Sequence, residues 1–272
     1  MDQPLSYTKV NAKQHEVTEN IVSEFEEELG EISGLCLDVG CGPGDVFVEC
    51  VLPKFNSRAQ AVCTDISEAM IKFCREKYGD NERLSFEKLD IQTKNLPERF
   101  VGRFDYVSSF YCLHWCWDLR KAFENIYDSL CPGGTSLVTF IANLPILDTY
   151  PGLAALPLYH PYMKDCDHFI PVFQNVNQPH KKLKTMLKDI GFDVQHCSVR
   201  ETSTFYRNVD SLKTFLMAVN PFTSRLPPEV RVNYENQLLT EVLKRLIKEK
   251  NKDDYKILST YTLFVVYLKK PQ

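Results

Sequence analysis

The chain has 272 residues, 44% of them hydrophobic, enough for one large domain or for one domain carrying a lid. A formal net charge of −4 argues against a nucleic-acid surface, and no window offers the roughly 20 apolar residues of a spanning helix, so no membrane insertion is expected. Met1-Asp2-Gln3-Pro4 opens neither a basic nor an apolar run, so no signal peptide is expected. From Asn11 to Leu29, Val17, Ile21, Val22, Phe25 and Leu29 recur at helical spacing and Gly30 supplies a stop. One amphipathic helix is expected there, with Gln14 and His15 in its first turns.

Leu35, Leu37 and Val39 then bracket a short buried strand that ends in a turn containing Gly40, Gly42 and Gly44. Val46, Phe47, Cys50 and Val51 follow at helical spacing, so the order is strand, glycine turn, helix. That order lets backbone approach a nucleotide-like ligand closely. The dinucleotide fingerprint needs a glycine where Asp45 stands, and a carboxylate at a helix opening would repel a pyrophosphate. The ligand implied has no phosphates. With Asp38 near the strand end, Asp-x-Gly-x-Gly-x-Gly resembles the first motif of class I S-adenosylmethionine-dependent methyltransferases.

Ala61-Val62-Cys63-Thr64-Asp65 reads as the second strand, and Ser67 caps the helix after it. Asp65 follows the glycine turn at the spacing of an acid that accepts hydrogen bonds from ribose hydroxyls. Leu84 to Leu89 alternates as a third strand ending at Asp90-Ile91. Asp90 is placed to accept the adenine amine, with Ile66 and Ile91 on either side of the ring. Phe104 to Phe110 makes the fourth strand, which opens into Tyr111-Cys112-Leu113-His114-Trp115-Cys116-Trp117. Asp118 caps the next helix, and Pro132-Gly133-Gly134 turns the chain into a fifth strand, Thr135 to Ile141. The alternation implies an α/β fold with a doubly wound, mostly parallel, seven-stranded sheet.

Residues 31–142 form the cofactor-binding core of a single domain, 1–272, with no internal linker. Segments 143–180 and 206–250 are read as helical lid pieces over the carboxyl ends of the strands. Helices are expected over Leu183–Ile190, Val209–Val219 and Pro228–Lys248, and strands over Phe192–Phe205 and Tyr261–Tyr267. Of the ten cysteines, Cys36, Cys41, Cys50, Cys63, Cys74 and Cys131 sit in or beside apolar runs, as small buried thiols do. Cys112, His114 and Cys116 lack a second ligand pair, so no metal site is expected and the reading is a reduced, cytoplasmic protein.

Methyl transfer from a sulfonium is an in-line displacement that orientation and a dry pocket promote. An aromatic turn with one imidazole and one indole suits an apolar ligand with a small acidic head. A carboxylic acid of pKa about 4–5 is already ionised and needs donors rather than a base. Gln14, His114 and Trp115 are the candidate donors, while Trp117 is read as core.

The runs Leu37 to Gly44, Thr64 to Ser67, Leu89 to Ile91 and Ser109 to Trp115 together resemble the insect juvenile hormone acid O-methyltransferase family. The resemblance implies methylation of farnesoic acid or juvenile hormone acid to the methyl ester, giving S-adenosylhomocysteine. It assigns the cofactor to Asp38, Gly40, Gly42, Gly44, Asp65, Ile66, Asp90, Ile91 and Ser109. The sesquiterpenoid falls to Gln14, Trp115, Leu144, Tyr150, Phe169 and Met217. A trans-aconitate-like or fatty acid substrate, a terpenoid carrier without turnover, and a homodimer stay open at this stage.

Overall fold

The computed structural model describes residues 4–251 and 254–272, so the Met1–Gln3 part of the opening stretch lies outside them. Helices α1 (Pro4–Tyr7), α2 (Ala12–Glu24) and α3 (Glu26–Gly30) precede β1 (Leu35–Val39). The expected single helix breaks at Phe25, which leaves helical geometry at φ −112°, ψ 24°. Its ring is buried 5.3 Å from Tyr267 and 5.8 Å from His196, so sheet packing sets the break.

After the glycine turn, Phe47–Val51 winds as a π-turn and Leu52–Lys54 as a 3₁₀ turn, because Pro53 brings no N–H to a regular helix. The chain continues through β2 (Gln60–Asp65), α4 (Glu68–Tyr78), β3 (Leu84–Lys88), β4 (Phe104–Phe110), α5 (Leu119–Ser129) and β5 (Leu130–Asn143). Ser67 caps α4 and Asp118 caps α5, each side chain accepting a first-turn N–H. Pro132-Gly133-Gly134 is a bulge within β5 rather than a turn before it: the pairing with β4 shifts between Phe104 and Tyr106.

Beyond β5 come α6 (Thr149–Ala154), α7 (Pro179–Ile190), β6 (Asp193–Tyr206), α8 (Val209–Val219), α9 (Pro228–Leu243), β7 (Ile247–Asn251) and β8 (Asp254–Lys269). The helix expected to reach Lys248 stops at Leu243. Lys248-Glu249-Lys250 offers no apolar stripe to a helix, and in β7 Glu249 lies opposite Lys256 of β8.

The sheet therefore has eight strands, in the order β3-β2-β1-β4-β5-β8-β6 with β7 paired to β8. The pairs from β3 across to β5 are parallel, and β8 runs antiparallel to both β5 and β6. Leu37, Val39, Val107, Phe140 and Phe264 face one core with α5 and α7. Cys36, Tyr106, Leu137, Leu263 and Val265 face the other, which continues into the lid through Leu153, Leu216 and Leu238. Burial on both faces is what central parallel strands demand. All ten cysteines are free thiols, and Cys131, expected in the core, is half-buried. Among the described residues no helix is long and apolar enough to cross a membrane.

Candidate active site

At the carboxyl end of β1, Gly40, Gly42 and Gly44 take φ values of +73°, +54° and +82°, where side chains are strained. The turn is tied to β2: the Gly40 and Cys41 N–H groups donate to the Thr64 carbonyl at 2.7 and 2.8 Å. The Gly42 N–H donates to Asp65 Oδ2 at 2.9 Å, and the Ser67 N–H to Asp65 Oδ1 at 2.8 Å. Asp65 thus joins the turn to the start of α4. A side chain at Gly40 would fall on the Cys112 thiol, whereas a Cβ at Gly42 would meet nothing within 4 Å. Packing requires the first glycine; the second faces open space.

Three hollows meet beside this turn. A cavity of ≈ 320 Å³ lies over Gly40, Gly42 and Asp65, walled by Ile66, Trp115 and Phe169. A second, of ≈ 400 Å³, is walled by Ile141, Leu144, Phe205, Phe215 and Tyr261. A neck of ≈ 40 Å³ is lined by Asp38, Asp45 and Gly42, and shares Gln14 with the second cavity and Tyr7 with the first. Tyr111 lines all three. It sits directly after β4 at φ +55°, a conformation that costs a non-glycine residue about 1–3 kcal/mol. Its N–H donates to the Thr139 carbonyl at 2.9 Å, and its hydroxyl lies 3.3 Å from that of Tyr261. Sequence reasoning passed over Tyr111; its position at a strand end was the one signal for it.

The first cavity gathers Gly40, Gly42, Asp65, Ile66, Trp115 and Phe169 of the expected residues. Gln14 and Leu144 line the second, so Gln14 and Trp115 stand in different cavities on either side of Tyr111. The Gln14 side chain lies beside the Tyr7 hydroxyl, and its Oε1 is buried without a partner among the described residues.

The remaining expected residues lie outside the linings of these three hollows. Gly44 packs towards Cys74 and Tyr78. Ile91 is buried in the core against α5, and Asp90 is exposed with Oδ1 accepting the Gln92 N–H at 2.9 Å. The Ser109 hydroxyl is buried and donates to the Val39 carbonyl at 2.9 Å. Tyr150 is buried edge-on to Phe222 at 5.2 Å and reaches Asn220, and Met217 packs against the same core, so both tie lid pieces together. His114 is buried behind Trp115, ring centroids 4.7 Å apart. Trp117, expected in the core, is 57% exposed and stacks on His168 of the lid at 5.2 Å.

Burial governs the charges. It pushes the Asp38 carboxyl up to about 7, aided by the Asp65 charge and opposed by the Ser108 hydroxyl, which donates to Oδ1 at 2.7 Å. Burial also holds His114 down at about 3, so its ring is neutral at pH 7. Asp45 is buried, accepts from Asn11 Nδ2 at 2.9 Å and lies 3.2 Å from His15 Nε2, which fixes the start of α2 against the turn.

Comparison with known proteins fits this layout. The family described as "Methyltransferase domain" matches residues 37–136. Juvenile hormone acid O-methyltransferase of Drosophila melanogaster is 34% identical over 275 residues, covering 99% of this chain and 93% of that one. The Bombyx mori protein of the same name is 29% identical, covering 94% of this chain and 95% of its own length. Among solved structures, phosphoethanolamine N-methyltransferase 2 of Haemonchus contortus, in complex with phosphomonomethylethanolamine and S-adenosylhomocysteine, superposes with a TM-score of 0.57. That match has 16% identity over 99% of this chain and 57% of the other, and carries the fold alone. Identity at the Drosophila level over 99% of this chain means that the chain belongs to the juvenile hormone acid O-methyltransferase family and is an S-adenosylmethionine-dependent methyltransferase.

Proposed function

We propose that the protein methylates the carboxylate of an apolar acid, farnesoic acid or juvenile hormone acid, giving the methyl ester and S-adenosylhomocysteine without a metal. The observation that carries this reading is an apolar cavity joined, through Gln14 and Tyr111, to a neck beside the glycine turn. The first cavity fits the cofactor: a Cβ at Gly42 would meet only empty space, and the neck is lined by the carboxyl groups of Asp38 and Asp45, which a bound ammonium or sulfonium would favour in their ionised form. Gly40, Gly42 and Ser67 would hold it by close backbone approach and Asp65 through the ribose. Asp90 would take the adenine amine. Ile66, 58% exposed, is the isoleucine placed to meet the ring, while Ile91 supports the loop from beneath.

When bound, S-adenosylmethionine supplies an electrophilic methyl group. The chain's part is to hold a nucleophile that arrives ionised, so no residue removes a proton. Gln14 and Trp115 grip the carboxylate from either side of Tyr111, and the neutral His114 braces the Trp115 ring. Leu144 and Phe215 accept the apolar body and exclude water, which strengthens the polar grip at the head. Ten unpaired thiols support action in the reducing cytoplasm.

The test is incubation with S-adenosylmethionine labelled in the methyl group and a panel of farnesoic acid, juvenile hormone acid, palmitic acid and trans-aconitate. Label is expected in base-labile esters of the two terpenoid acids. Labelling of trans-aconitate alone, or of none, defeats the proposal.

A further inference from the structure

The charged side chains of the neck and of the second cavity differ in sign. The neck holds Asp38 and Asp45, while the second cavity is lined by Lys9 and Lys13 with no aspartate or glutamate. Both lysines belong to the short stretch that also carries Gln14, and Ile141, Leu144 and Phe215 give the cavity apolar lining. The cavity therefore has one cationic wall beside its entrance to the neck. Asn11, between the two lysines, anchors that wall by donating to the buried Asp45 at 2.9 Å, and the first turn of α2 contains no acid. Lys13 is 29% exposed on its side chain and holds Glu16 at 2.6 Å, so its charge is partly engaged in the free protein.

On the strength of the carboxyl-methylation reading above, we infer that Lys9 and Lys13 determine substrate charge: they draw a monoanionic head to the Gln14 end of the cavity and discriminate against neutral apolar chains of the same shape. The need follows from the whole chain, whose 36 acids against 32 bases repel an incoming anion at long range. A local pair of cations reverses that field within about a Debye length, roughly 8–10 Å. Neither lysine enters the chemistry. Each acts on the bound and approaching anion, so the effect falls on KM and leaves kcat alone.

Calorimetric titration of the S-adenosylhomocysteine-loaded protein with farnesoic acid and with the neutral alcohol farnesol tests this. The double variant K9Q/K13Q is expected to bind the acid about five- to tenfold more weakly, as two partly exposed charge contacts imply, and farnesol within about twofold of wild type. Wild-type affinity for the acid should fall between roughly 50 and 500 mM salt, and the variant should have lost most of that dependence. K9R/K13R should restore the acid affinity, and in turnover the glutamine pair should raise KM in proportion. Unchanged acid affinity in K9Q/K13Q, or equal losses for acid and alcohol, overturns the inference while leaving carboxyl methylation intact. Wild-type protein that binds neither ligand overturns the underlying reading, and this inference with it.

Discussion

The two cavities on either side of the neck are built by opposite means. The first rests on a backbone turn: the loops after β1, β2 and β4, which are neighbours in the sheet, bring Gly42, Asp65 and Tyr111 together, and Ile66, Trp115 and Phe169 wall it. The apolar side is made of side chains from six separated places, namely residues 9–14, Tyr111, the end of β5, β6, α8 and β8. A backbone site depends on a few conformations that admit no substitute. A side-chain site spreads its surface over many residues, each contributing a modest share. The first should fail at single positions, and the second should degrade by degrees.

The largest effect should separate two glycines of one turn. Gly40→Ala puts a methyl group on the Cys112 thiol at a positive φ and should cost about 3 kcal/mol of stability, read from thermal or denaturant unfolding. Gly42→Val should leave a folded protein, destabilised by about 1–3 kcal/mol, that no longer binds S-adenosylmethionine. If the two variants behave alike, the distinction between a packing glycine and a ligand-facing glycine is lost.

Next come the two proposed grips on the carboxylate. Gln14→Ala and Trp115→Phe should each lower kcat on the order of a hundredfold while sparing cofactor affinity, since misplacement of a nucleophile by even 1 Å has that cost. The double variant should lose less than the product of the two, because both act on one head group. Full additivity would mean that the separate cavities hold separate ligands.

Asp65→Ala should weaken cofactor binding by about 1.5–3 kcal/mol in calorimetry, with acid binding untouched. A loss of acid binding in this variant would show that the two sites are not independent.

The smallest effects concern pH. Turnover should show no rising limb above about pH 6, and His114→Asn should keep substantial activity, since the imidazole is already neutral. In stability the two buried groups act in opposite directions. His114, held at about 3 against an ordinary 6.5, supports the fold fully above 6.5 and loses that support as pH falls towards 3. Asp38, raised from 3.8 to about 7, retains a proton that the unfolded chain has released, so stability declines as pH rises between those values. Melting scans of Asp38→Asn should lack that decline; an unchanged slope would remove Asp38 as its source.

The same contrast explains what could be read in advance. The Ser67 and Asp118 caps and the span of α8 were legible because each depends on contacts a few residues apart, and the glycine turn because three closely spaced glycines mark it in the sequence. The break at Phe25 was not, since it is set by Tyr267 and His196 far along the chain. β7 was misread because charged alternation fits an exposed strand as well as a solvated helix face, and its partner in β8 decides. At the site, spacing from the turn pointed to Asp65 and Ile66, and both line the first cavity. Tyr111 was missed because a tyrosine at positive φ follows from the surrounding fold and not from local propensity. Tyr150 and Met217 were placed in the pocket by apolarity alone, which does not distinguish a wall from the packing behind it.

The position of β8 has a consequence for how the molecule is made. It follows every other strand in the chain yet lies between β5 and β6, and it supplies Ser259 and Tyr261 to the apolar cavity. During synthesis the parallel half, β1 to β5, can collapse around the glycine turn while β6 waits for its neighbour. The apolar cavity is therefore the last part to take shape, and until β8 inserts, the open edges of β5 and β6 are where a nascent chain is most exposed to mispairing.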